Sequence, residues 1–504
     1  MNSLPYLLYT AAQTRELDRF VIDKHDLSSN ILLERAGEAG YALMNLRWPK
    51  IQRIAVFCGI GNNGGDGFVL ARLAHEAGIE TRVYQVGDRD KLQGDALAAM
   101  QRLQGAGVTP VVFCEQSLQE VELIVDGLLG TGIQGEVRAD FRKAIEAINA
   151  TIAPVLALDL PSGLNADTGV SCGIAVQAAA TISFIGLKQG LMTGAGVQLC
   201  GELHFSDLNV PREIYLQQKP SARRLDYARL KKHLPPRRRD AHKGDAGHLL
   251  VIGGDHGMSG AVRLAGEAAL RAGAGLVSIA TRTTHAALIT NARPELMCHG
   301  IEQAEELEAL LSRANAIIIG PGLGQTDWAK DMLNSVVAAG KPLLLDADAL
   351  NLIADGALPE VMLRGAKRIL TPHPGEAARL LGQDVGQIQM DRFAAVTALL
   401  NKYAGVCVLK GAGTLVASEA GVGLCNAGNP GMASGGMGDV LSGIIGALMA
   451  QKLEPVDAVQ LGVCVHAQAA DLAVRTIGER GLIASDLMPA IRRLANPDLL
   501  SAVN

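Results

Sequence analysis

The sequence predicts an α/β protein of two domains, each built on a largely parallel sheet. Apolar runs rich in Val, Ile and Leu alternate with stretches of helical periodicity along most of the chain, which is typical of strands covered by helices on both faces. Glycine or polar turns follow most of these runs, and the chain contains 58 glycines. At 504 residues the chain is too long for one ordinary hydrophobic core.

The boundary between the domains is predicted at residues 216–240, with one domain over 1–215 and the other over 241–504. Periodicity is lost in the segment 211–245, which contains four prolines and a dense run of Lys and Arg. Such a basic run could bind an anionic partner, but a solvated interdomain linker is the favoured interpretation.

Composition argues against several classes of function. A net charge of −5 provides no global basic field, so no nucleic-acid partner is expected. The longest apolar runs are too short to span a bilayer and residues 1–20 lack the pattern of a secretory signal, so no membrane partner is expected. The eight cysteines are scattered without a C-x-x-C motif, which favours free thiols and a cytoplasmic location.

A glycine turn follows the first long strand predicted in the amino-terminal half. Residues 59–64 match G-x-G-x-x-G between a strand and a helix, which alone would indicate a dinucleotide-binding fold. Asn62, Asn63 and Asp66 place side-chain oxygens in the same turn, and a negative charge at Asp66 would repel a pyrophosphate. Such a turn is better suited to neutral polar groups or to a cation.

Three further strand ends in this half carry polar or glycine residues, at 126–135, 159–163 and 186–188, the last including Lys188. Each acidic residue among them could be a simple cap or turn residue. In an open parallel sheet, however, ligands bind at the carboxyl ends of the strands. Four polar ends at one edge therefore predict a ligand site.

Two glycine-rich segments in the carboxyl-terminal half predict anion binding, KGAGT at 410–414 and NPGMASGGMG at 429–438. Their backbone N–H groups, the charge of Lys410 and the following helix N-terminus could surround a phosphate. Asp439 comes next, where a carboxylate could take a proton from a hydroxyl that attacks a phosphoryl group. A capped helix start packed by glycines is the structural alternative.

Other polar residues at strand ends in this half leave two interpretations open. Asp346 and Asp348, in LLLDAD, could reach a divalent cation or serve as turn carboxylates. His373 lies between two prolines in TPHPGE, where a binding role and a structural role are both possible.

Taken in order, these motifs resemble those of two enzyme families. The amino-terminal half resembles the NAD(P)H-hydrate epimerases through GNNGGDG, DGLLGTG and LDLPSG. The carboxyl-terminal half resembles the ribokinase-like NAD(P)H-hydrate dehydratases through GGDHGMSGA, GPGLG, LDADALN, TPHPGE, KGAGT and NPGMASGGMGD. Over nearly the whole chain, the set is similar to that of the bifunctional bacterial NAD(P)H-hydrate repair enzymes.

The resemblance implies a Rossmann-like α/β sandwich in 1–215 and a ribokinase-like α/β domain in 241–504. It implies a metabolite repair enzyme for NADH and NADPH that have taken up water at the 5,6 double bond of the nicotinamide ring. The first domain would interconvert the R and S epimers at C6. The second would dehydrate the S form while converting ADP to AMP and phosphate. The expected small-molecule partners are hydrated NADH, hydrated NADPH and ADP, with K⁺ and Mg²⁺ as metals, in a homo-oligomer.

Carried over motif by motif, the resemblance assigns two sets of residues in the epimerase domain. Substrate contacts are implied for Asn62, Asn63, Gly64, Gly65, Asp66, Gly130, Thr131, Gly132, Ile133, Gln134, Gly135, Glu136 and Asp159. Potassium ligands are implied for Asn63, Asp126 and Ser162. We also expect Asp159 to act as an acid/base group.

In the dehydratase domain the resemblance assigns ADP contacts to Lys410, Gly411, Ala412, Gly413, Thr414, Asn429, Pro430, Gly431, Met432, Ala433, Ser434, Gly435, Gly436, Met437 and Gly438. Contacts with the hydrate are implied for Ala261, Gly324, His373 and Asp439. Hydroxide is a poor leaving group, so converting the C6 hydroxyl into a phosphate ester would assist the loss of water. Asp439 is expected to accept the hydroxyl proton, while the 435–438 amides stabilise the transferring phosphoryl group.

Two other functions are consistent with the same segments. One is a kinase of a vitamin or sugar fused to a dinucleotide-binding domain, which would accumulate a phosphorylated product. The other is a nucleotide-sensing regulatory protein without catalysis, which would need the anion-binding segments but not Asp439.

Overall fold

The computed structural model describes residues 4–496, except 26, 114–117, 119, 134, 360, 361 and 363. The chain forms two compact units, Met1–Arg223 and Arg224–Asn504. The division falls inside the predicted 216–240 linker. The limits of the two functional domains stay predictions.

The amino-terminal unit is built on a sheet of seven strands. The seven strands are β2 Arg53–Cys58, β3 Glu80–Gln85, β4 Val111–Val112, β5 Leu123–Gly127, β6 Val155–Leu158, β7 Ala180–Phe184 and β8 Glu202–Ser206, and two short strands, β1 Leu7–Leu8 and β9 Ala222–Arg224, lie outside this sheet. The sheet has the order β4-β3-β2-β5-β6-β7-β8, with every pairing parallel. The short strands β1 and β9 pair with each other antiparallel.

Helices cover both faces of this sheet. They are α1 Ala11–Lys24, α2 Ser29–Arg47, α3 Asn62–Glu76, α4 Gly94–Gly105, α5 Ala139–Asn149 and α6 Gly196–Leu199. Because alternate strand residues point to opposite faces, Ile54 and Val56 of β2 pack with residues of α1 to α4, whereas Ala55 and Phe57 pack with residues of α5. This arrangement is the predicted Rossmann-like α/β sandwich.

Helix α3 begins earlier than the sequence pattern indicated. Gly61 is its N-cap residue, so Asn62 to Asp66 form the first turn of the helix. The expectation that these residues fill a loop after β2 was therefore wrong. Their placement in a helix fixes their side chains more firmly than a loop would.

The described residues of the carboxyl-terminal unit form nine strands. They are β10 His248–Ile252, β11 Leu276–Thr281, β12 Met297–Gly300, β13 Ala316–Ile319, β14 Leu343–Leu345, β15 Arg368–Leu370, β16 Val406–Leu409, β17 Thr414–Ser418 and β18 Gly421–Cys425. Within this unit they are ordered β18-β17-β16-β15-β14-β13-β10-β11-β12. All pairings are parallel except β16–β17 and β17–β18. The 410–413 connection makes β16 and β17 a hairpin, because a parallel crossover needs many more residues.

The helices of this unit are α7 Tyr227–Leu230, α8 Ser259–Arg271, α9 Thr283–Ala292, α10 Glu308–Arg313, α11 Asp327–Ala338, α12 Ala347–Ala354, α13 Pro374–Leu381, α14 Val385–Met390, α15 Arg392–Tyr403, α16 Met437–Ala450, α17 Pro455–Val474 and α18 Met488–Leu494. Helix α16, which follows the 429–438 segment, packs very close to α8. A Cβ atom on Gly443 would come within 2.1 Å of the carbonyl oxygen of Ala265. This contact fixes the position of the α16 N-terminus.

Within the described ranges, no helix combines the length and the apolar character needed to cross a membrane.

Candidate functional site

In the amino-terminal unit, a cavity of about 550 Å³ lies at the carboxyl ends of the adjacent strands β2, β5, β6 and β7. These are the four strand ends whose polar residues were predicted to meet at one edge. Most of the residues assigned to the substrate line this strand-end cavity, namely Asn62, Asn63, Asp66, Gly130, Thr131, Gly132, Ile133, Glu136 and Asp159.

The other four residues of that set are placed differently. Gly64 and Gly65 are buried within α3, and a Cβ on Gly64 would come 2.1 Å from the carbonyl oxygen of Gly59. Gly64 lets α3 approach the turn after β2, whereas a Cβ on Gly65 would come 2.5 Å from the side chain of Leu33 in α2, and neither glycine lines the cavity. Gly135 does not belong to the cavity wall, and Gln134 lies outside the described residues.

An ion pair between Asp159 and Lys188 lies in the cavity wall. Asp159 follows β6 directly, and Lys188, just beyond β7, is only 1% exposed. The ammonium also donates to the carbonyl oxygen of Phe184 at 3.0 Å. Asp159 has a φ of 64°, a left-handed conformation that Asp adopts more readily than most residues. This turn holds the carboxylate against the lysine.

Asp66 presents a buried carboxyl group to the same cavity. Burial raises its pKa well above the usual range, and the charges of Asp159 and Asp18 raise it further, against the opposing effect of Lys188. This shift favours the protonated form of the carboxyl group, in which it can donate a hydrogen bond to a ligand. In that protonated form the Asp66 side chain would not repel an anionic substrate.

The three residues assigned to potassium are close neighbours. The buried carboxylate of Asp126 accepts hydrogen bonds from the Ser162 hydroxyl at 2.6 Å and from the Ser162 amide at 2.8 Å. The Asn63 side-chain amide donates to the carbonyl oxygen of Leu129 at 3.1 Å, and the Leu129 amide donates to the Ser162 hydroxyl at 2.8 Å. The Oδ1 atom of Asn63 is buried without a hydrogen-bond partner. The cluster is rich in oxygen atoms and retains one acceptor to be satisfied.

In the carboxyl-terminal unit, Lys410 lies at the centre of a charged cluster. Its ammonium donates to Asp346 at 2.9 Å and lies 3.7 Å from Glu376, and both acids are buried. Burial lowers the pKa of Lys410, but Asp346, Glu376 and Asp439 raise it by more, so the net shift is upward. Lys410 therefore stays positively charged at neutral pH.

The two glycine-rich segments meet at this lysine. A Cβ on Gly438 would lie 3.4 Å from the Lys410 ammonium nitrogen and 3.8 Å from a carboxylate oxygen of Asp346. Helix α16 begins there with Gly436 as its N-cap residue, whose φ of 85° favours glycine. Ser434 of the same segment has a buried hydroxyl without a hydrogen-bond partner, which a bound ligand could provide.

Asp439 lies in the first turn of α16 and is partly buried. Burial raises its pKa to about 7, the negative charge of Asp346 adds to the rise, and Lys410 opposes it. A carboxyl group whose pKa lies near the working pH is well suited to accept a proton from a substrate. The environment of Asp439 thus favours the chemical interpretation over a simple helix cap.

Asp346 has structural partners on both carboxylate oxygens. One accepts from Lys410, and the other accepts from the Ser442 hydroxyl at 2.7 Å. Among the residues that the structure describes, no three His, Cys, Asp or Glu side chains form a metal-binding group. For Asp346 this favours the turn and ion-pair role over direct coordination of a divalent cation.

Two of the residues assigned to the hydrate lie near the turns after β10 and β13. The Gly324 amide donates to Asp348 at 2.9 Å, and the charge of Asp348 acts in turn on Asp439. Ala261, in the first turn of α8, lies beside Gly322, since a Cβ on Gly322 would be 3.2 Å from the Ala261 Cβ.

His373 caps the next helix, α13. Its Nδ1 atom accepts a hydrogen bond from the Gly375 amide at 2.9 Å, and its backbone amide donates to Glu376 at 2.7 Å. Burial and the positive charge of Lys410 lower its pKa, so the ring is neutral at pH 7. His373 therefore has a structural role as a helix cap. Its half-exposed ring lies 3.4 Å from Glu376, a member of the charged cluster around Lys410.

Known proteins match both units of the chain. Residues 29–190 match the family model of the YjeF-related protein N-terminus, and residues 249–493 match that of NAD(P)H-hydrate dehydratase. The chain is 49% identical over 492 residues to the bifunctional NAD(P)H-hydrate repair enzyme of Coxiella burnetii, with 97% of this chain and 100% of that protein covered. The chain belongs to the bifunctional NAD(P)H-hydrate repair enzymes. The Escherichia coli member is 45% identical, with 99% of this chain and 95% of that protein covered.

The fold comparison concerns the dehydratase unit. A ribokinase-like superfamily protein from Enterococcus faecalis is 27% identical with a TM-score of 0.51, covering 56% of this chain and 97% of that protein. The predicted family and the predicted fold class are confirmed. The roles of the individual residues stay predictions.

Arg392 is a residue of the dehydratase unit that sequence reasoning missed. It is 1% exposed, and its guanidinium donates to the carbonyl oxygens of Leu409 at 3.3 Å, Lys410 at 3.3 Å and Gly413 at 3.4 Å. Burial lowers its pKa to about 10, which leaves it charged at neutral pH. By engaging these carbonyl groups from inside, Arg392 determines the shape of the 410–413 turn. As one charged residue at a helix start, it gave no signal in the sequence.

Two further ionisable residues were also missed. Asp18 lines the strand-end cavity from α1. His466 of α17 is buried, with Nε2 lacking a hydrogen-bond partner, and burial and then Lys410 lower its pKa to about 4. Each interrupts the apolar pattern of its helix. Asp18 lies beside the buried residues Leu17 and Val21 of α1, and His466 lies between the buried residues Val465 and Ala467 of α17. That interruption was a usable signal.

We expect Arg392→Met to loosen the 410–413 turn. Buried carbonyl groups that lose their donor cost about 1–3 kcal/mol of stability, so the free energy of unfolding should fall by that amount. Amide hydrogen exchange of β16 and β17 should become faster in the folded protein. Arg475→Met, at an exposed position after α17, is the matched control and should leave both measurements unchanged. Unchanged exchange in Arg392→Met would contradict the assigned role.

Proposed function

We propose that this chain repairs hydrated NADH and NADPH in two steps. The epimerase unit interconverts the R and S forms at C6, and the dehydratase unit removes water from the S form while ADP becomes AMP and phosphate. The observation that carries the proposal is the cluster at the start of α16, where Asp439, with a pKa of about 7, adjoins Lys410 and the glycine-rich segments. Such a cluster can bind a phosphoryl group and remove a hydroxyl proton together.

In the dehydratase step, Asp439 takes the proton of the C6 hydroxyl while that oxygen attacks the terminal phosphorus of ADP. The bond from this phosphorus to the bridging oxygen breaks, and AMP leaves. Lys410 and the 435–438 amides offset the negative charge on the phosphoryl group. The C6–O bond then breaks with phosphate as the leaving group, and loss of a proton from C5 restores the double bond. Ser434, whose buried hydroxyl lacks a partner, supplies a donor to the nucleotide.

Magnesium belongs to this proposal as an ion that arrives with the nucleotide. Mg²⁺ is commonly held by substrate phosphates and water with one or two carboxylates. Because Lys410 and Ser442 already engage Asp346, the nucleotide phosphates would be the principal ligands. The ion would reduce the negative charge of the phosphates.

Potassium is proposed for the epimerase unit. The unpartnered Oδ1 of Asn63 and the oxygens of Asp126 and Ser162 offer the neutral and anionic oxygens that such an ion takes. Burial raises the pKa of Asp126 to about 6, despite hydrogen bonds from Ser162 and Leu128. A cation beside it would favour its charged form.

A homo-oligomer and a cytoplasmic location complete the proposal. The seven cysteines described by the structure are all free thiols, which supports a reducing compartment.

One assay tests the overall function. Hydrated NADH and ADP are incubated with the protein, and the absorbance of regenerated NADH is followed together with AMP and phosphate. We expect all three products in equal amounts. A phosphorylated product that accumulates without NADH would instead indicate a kinase, and binding of ADP without turnover would indicate a nucleotide sensor.

We expect Asp439→Asn to retain ADP binding and to lose dehydration by about 10²–10⁴-fold, which is the usual contribution of a positioned base. In the unchanged enzyme the rate should rise with pH through about 7, because the carboxylate must be ionised to accept a proton. The variant should lose this rise. Asp331→Asn, at an exposed position of α11, serves as the control. Normal turnover of S hydrate by Asp439→Asn would refute the assignment.

We expect K⁺ to stabilise the epimerase unit when it replaces tetramethylammonium at equal ionic strength. A ligand at 100 times its Kd stabilises the folded state by about 2.7 kcal/mol, so the thermal midpoint should rise with the K⁺ concentration. Asn63→Ala should abolish the rise, because the free amide oxygen is removed. Equal midpoints in the two salts would argue against the ion.

A further inference from the structure

Helix α1 supplies part of the strand-end cavity, although it lies outside the 29–190 family match. The helix is fixed close to Lys188. The Tyr9 amide donates to the carbonyl oxygen of Leu187 at 2.9 Å, and a Cβ on Gly186 would come 2.7 Å from the Thr14 hydroxyl. One turn further along α1, Asp18 faces the cavity. Its backbone is therefore held in place by the turn that carries Lys188.

The Asp18 carboxylate has an oxygen that no protein group satisfies. Its Oδ1 atom is buried without a hydrogen-bond partner. A buried acceptor of this kind is costly unless a ligand or water donates to it, and such atoms concentrate at functional sites. By contrast, Asp159 is paired with Lys188 and accepts a further hydrogen bond from the Phe184 amide at 3.4 Å. Asp18 thus has a carboxylate oxygen in this cavity that is available to a substrate hydroxyl.

The charges around Asp18 suit a proton acceptor. Burial raises its pKa to about 6, Lys188 lowers it, Asp159 raises it and Arg15 lowers it. The titratable and charged groups that act on it, or on which it acts, are Arg15 of its own helix, Asp66 of α3, Asp159, Lys188 and Tyr215. At pH 7 the carboxylate is mostly ionised, yet it can hold a proton transiently.

We propose that Asp18 is the catalytic base of the epimerase unit, which takes the proton of the C6 hydroxyl and returns it after the configuration has changed. The inference rests on the proposed epimerase function and deepens it. In the hydrate, C6 carries both the hydroxyl oxygen and the ring nitrogen N1. Such a carbon is inverted when its bond to nitrogen opens and closes again on the other face.

The step balances without any further reactant. As Asp18 takes the hydroxyl proton, the C6–N1 bond breaks, its electron pair stays on N1 and the C6–O bond becomes a carbonyl. The negative charge on N1 is delocalised toward the carboxamide of the nicotinamide. After the carbonyl carbon has turned, the N1 pair attacks its opposite face, and protonated Asp18 returns the proton to oxygen. The Lys188 ammonium, which Asp159 holds in place, provides a donor that orients the ring.

The test compares Asp18→Asn with Asp23→Asn, a matched control at an exposed position of the same helix. Purified R hydrate and ADP are supplied, so that regenerated NADH reports epimerisation. Purified S hydrate reports dehydration by the same preparation. The uncatalysed rate is subtracted. We expect Asp18→Asn to lose about 10²–10⁴-fold with R hydrate while its rate with S hydrate is unchanged.

The pH profile separates a catalytic from a structural role. With R hydrate the unchanged enzyme should gain rate as the pH rises through about 6, and Asp18→Asn should lose this limb. If Asp18→Asn cannot be purified, the pH profile of Asp18→Glu is measured instead. A shift in the pH at which its rate with R hydrate rises would support the inference. An unchanged limb in Asp18→Glu, or a rate in Asp18→Asn within about threefold of the Asp23→Asn rate, would overturn it. If the wild-type enzyme converts S hydrate but not R hydrate, the proposed epimerase function itself is overturned.

Discussion

Both units depend on the same electrostatic constraint, a lysine ammonium held at a strand end by an aspartate from another strand end. Lys188 pairs with Asp159 between the ends of β7 and β6, and Lys410 pairs with Asp346 between the ends of β16 and β14. Transferring an ammonium or a carboxylate out of water costs several kcal/mol unless it is paired, so neither partner can be removed alone without penalty. Each ion pair holds two separate turns together. The residues of each candidate site lie around that pair.

Backbone strain accompanies the pair in both units. Asp159 is itself left-handed, and Ala347, which follows Asp346, has a φ of 46°. Ile185, in the wall of the strand-end cavity, has a φ of 56°, which is unfavourable for a β-branched residue. Conformations of this kind cost about 1–3 kcal/mol each and persist where the surrounding packing over-determines them. Buried strands on either side supply that packing here.

The sequence predicted the architecture well because buried parallel strands have a recognisable pattern and because ligands gather at strand ends. It placed Asp159, Lys188 and Lys410 at strand ends and Asp439 at the start of a helix, as the structure has them. It could not predict the raised pKa of Asp66, since that shift follows from burial together with two neighbouring carboxylates. It also missed Arg392, which donates to main-chain carbonyl groups as well as to the Gln389 side chain, because carbonyl partners leave no trace in residue identity. The start of α3 was misjudged because glycine pairs usually signal loops.

The Arg392 guanidinium holds the 410–413 turn in one shape, and this would affect how the turn binds a phosphate. Main-chain dipoles held from beneath are already oriented before any anion arrives, so little reorganisation energy is required on encounter and little order is lost afterwards. A preformed site of this kind would distinguish a diphosphate from a triphosphate by the space beyond the last phosphorus atom, without a closing movement. Substitutions around that space would then change the preference for a diphosphate or a triphosphate, while the 410–413 turn keeps its shape.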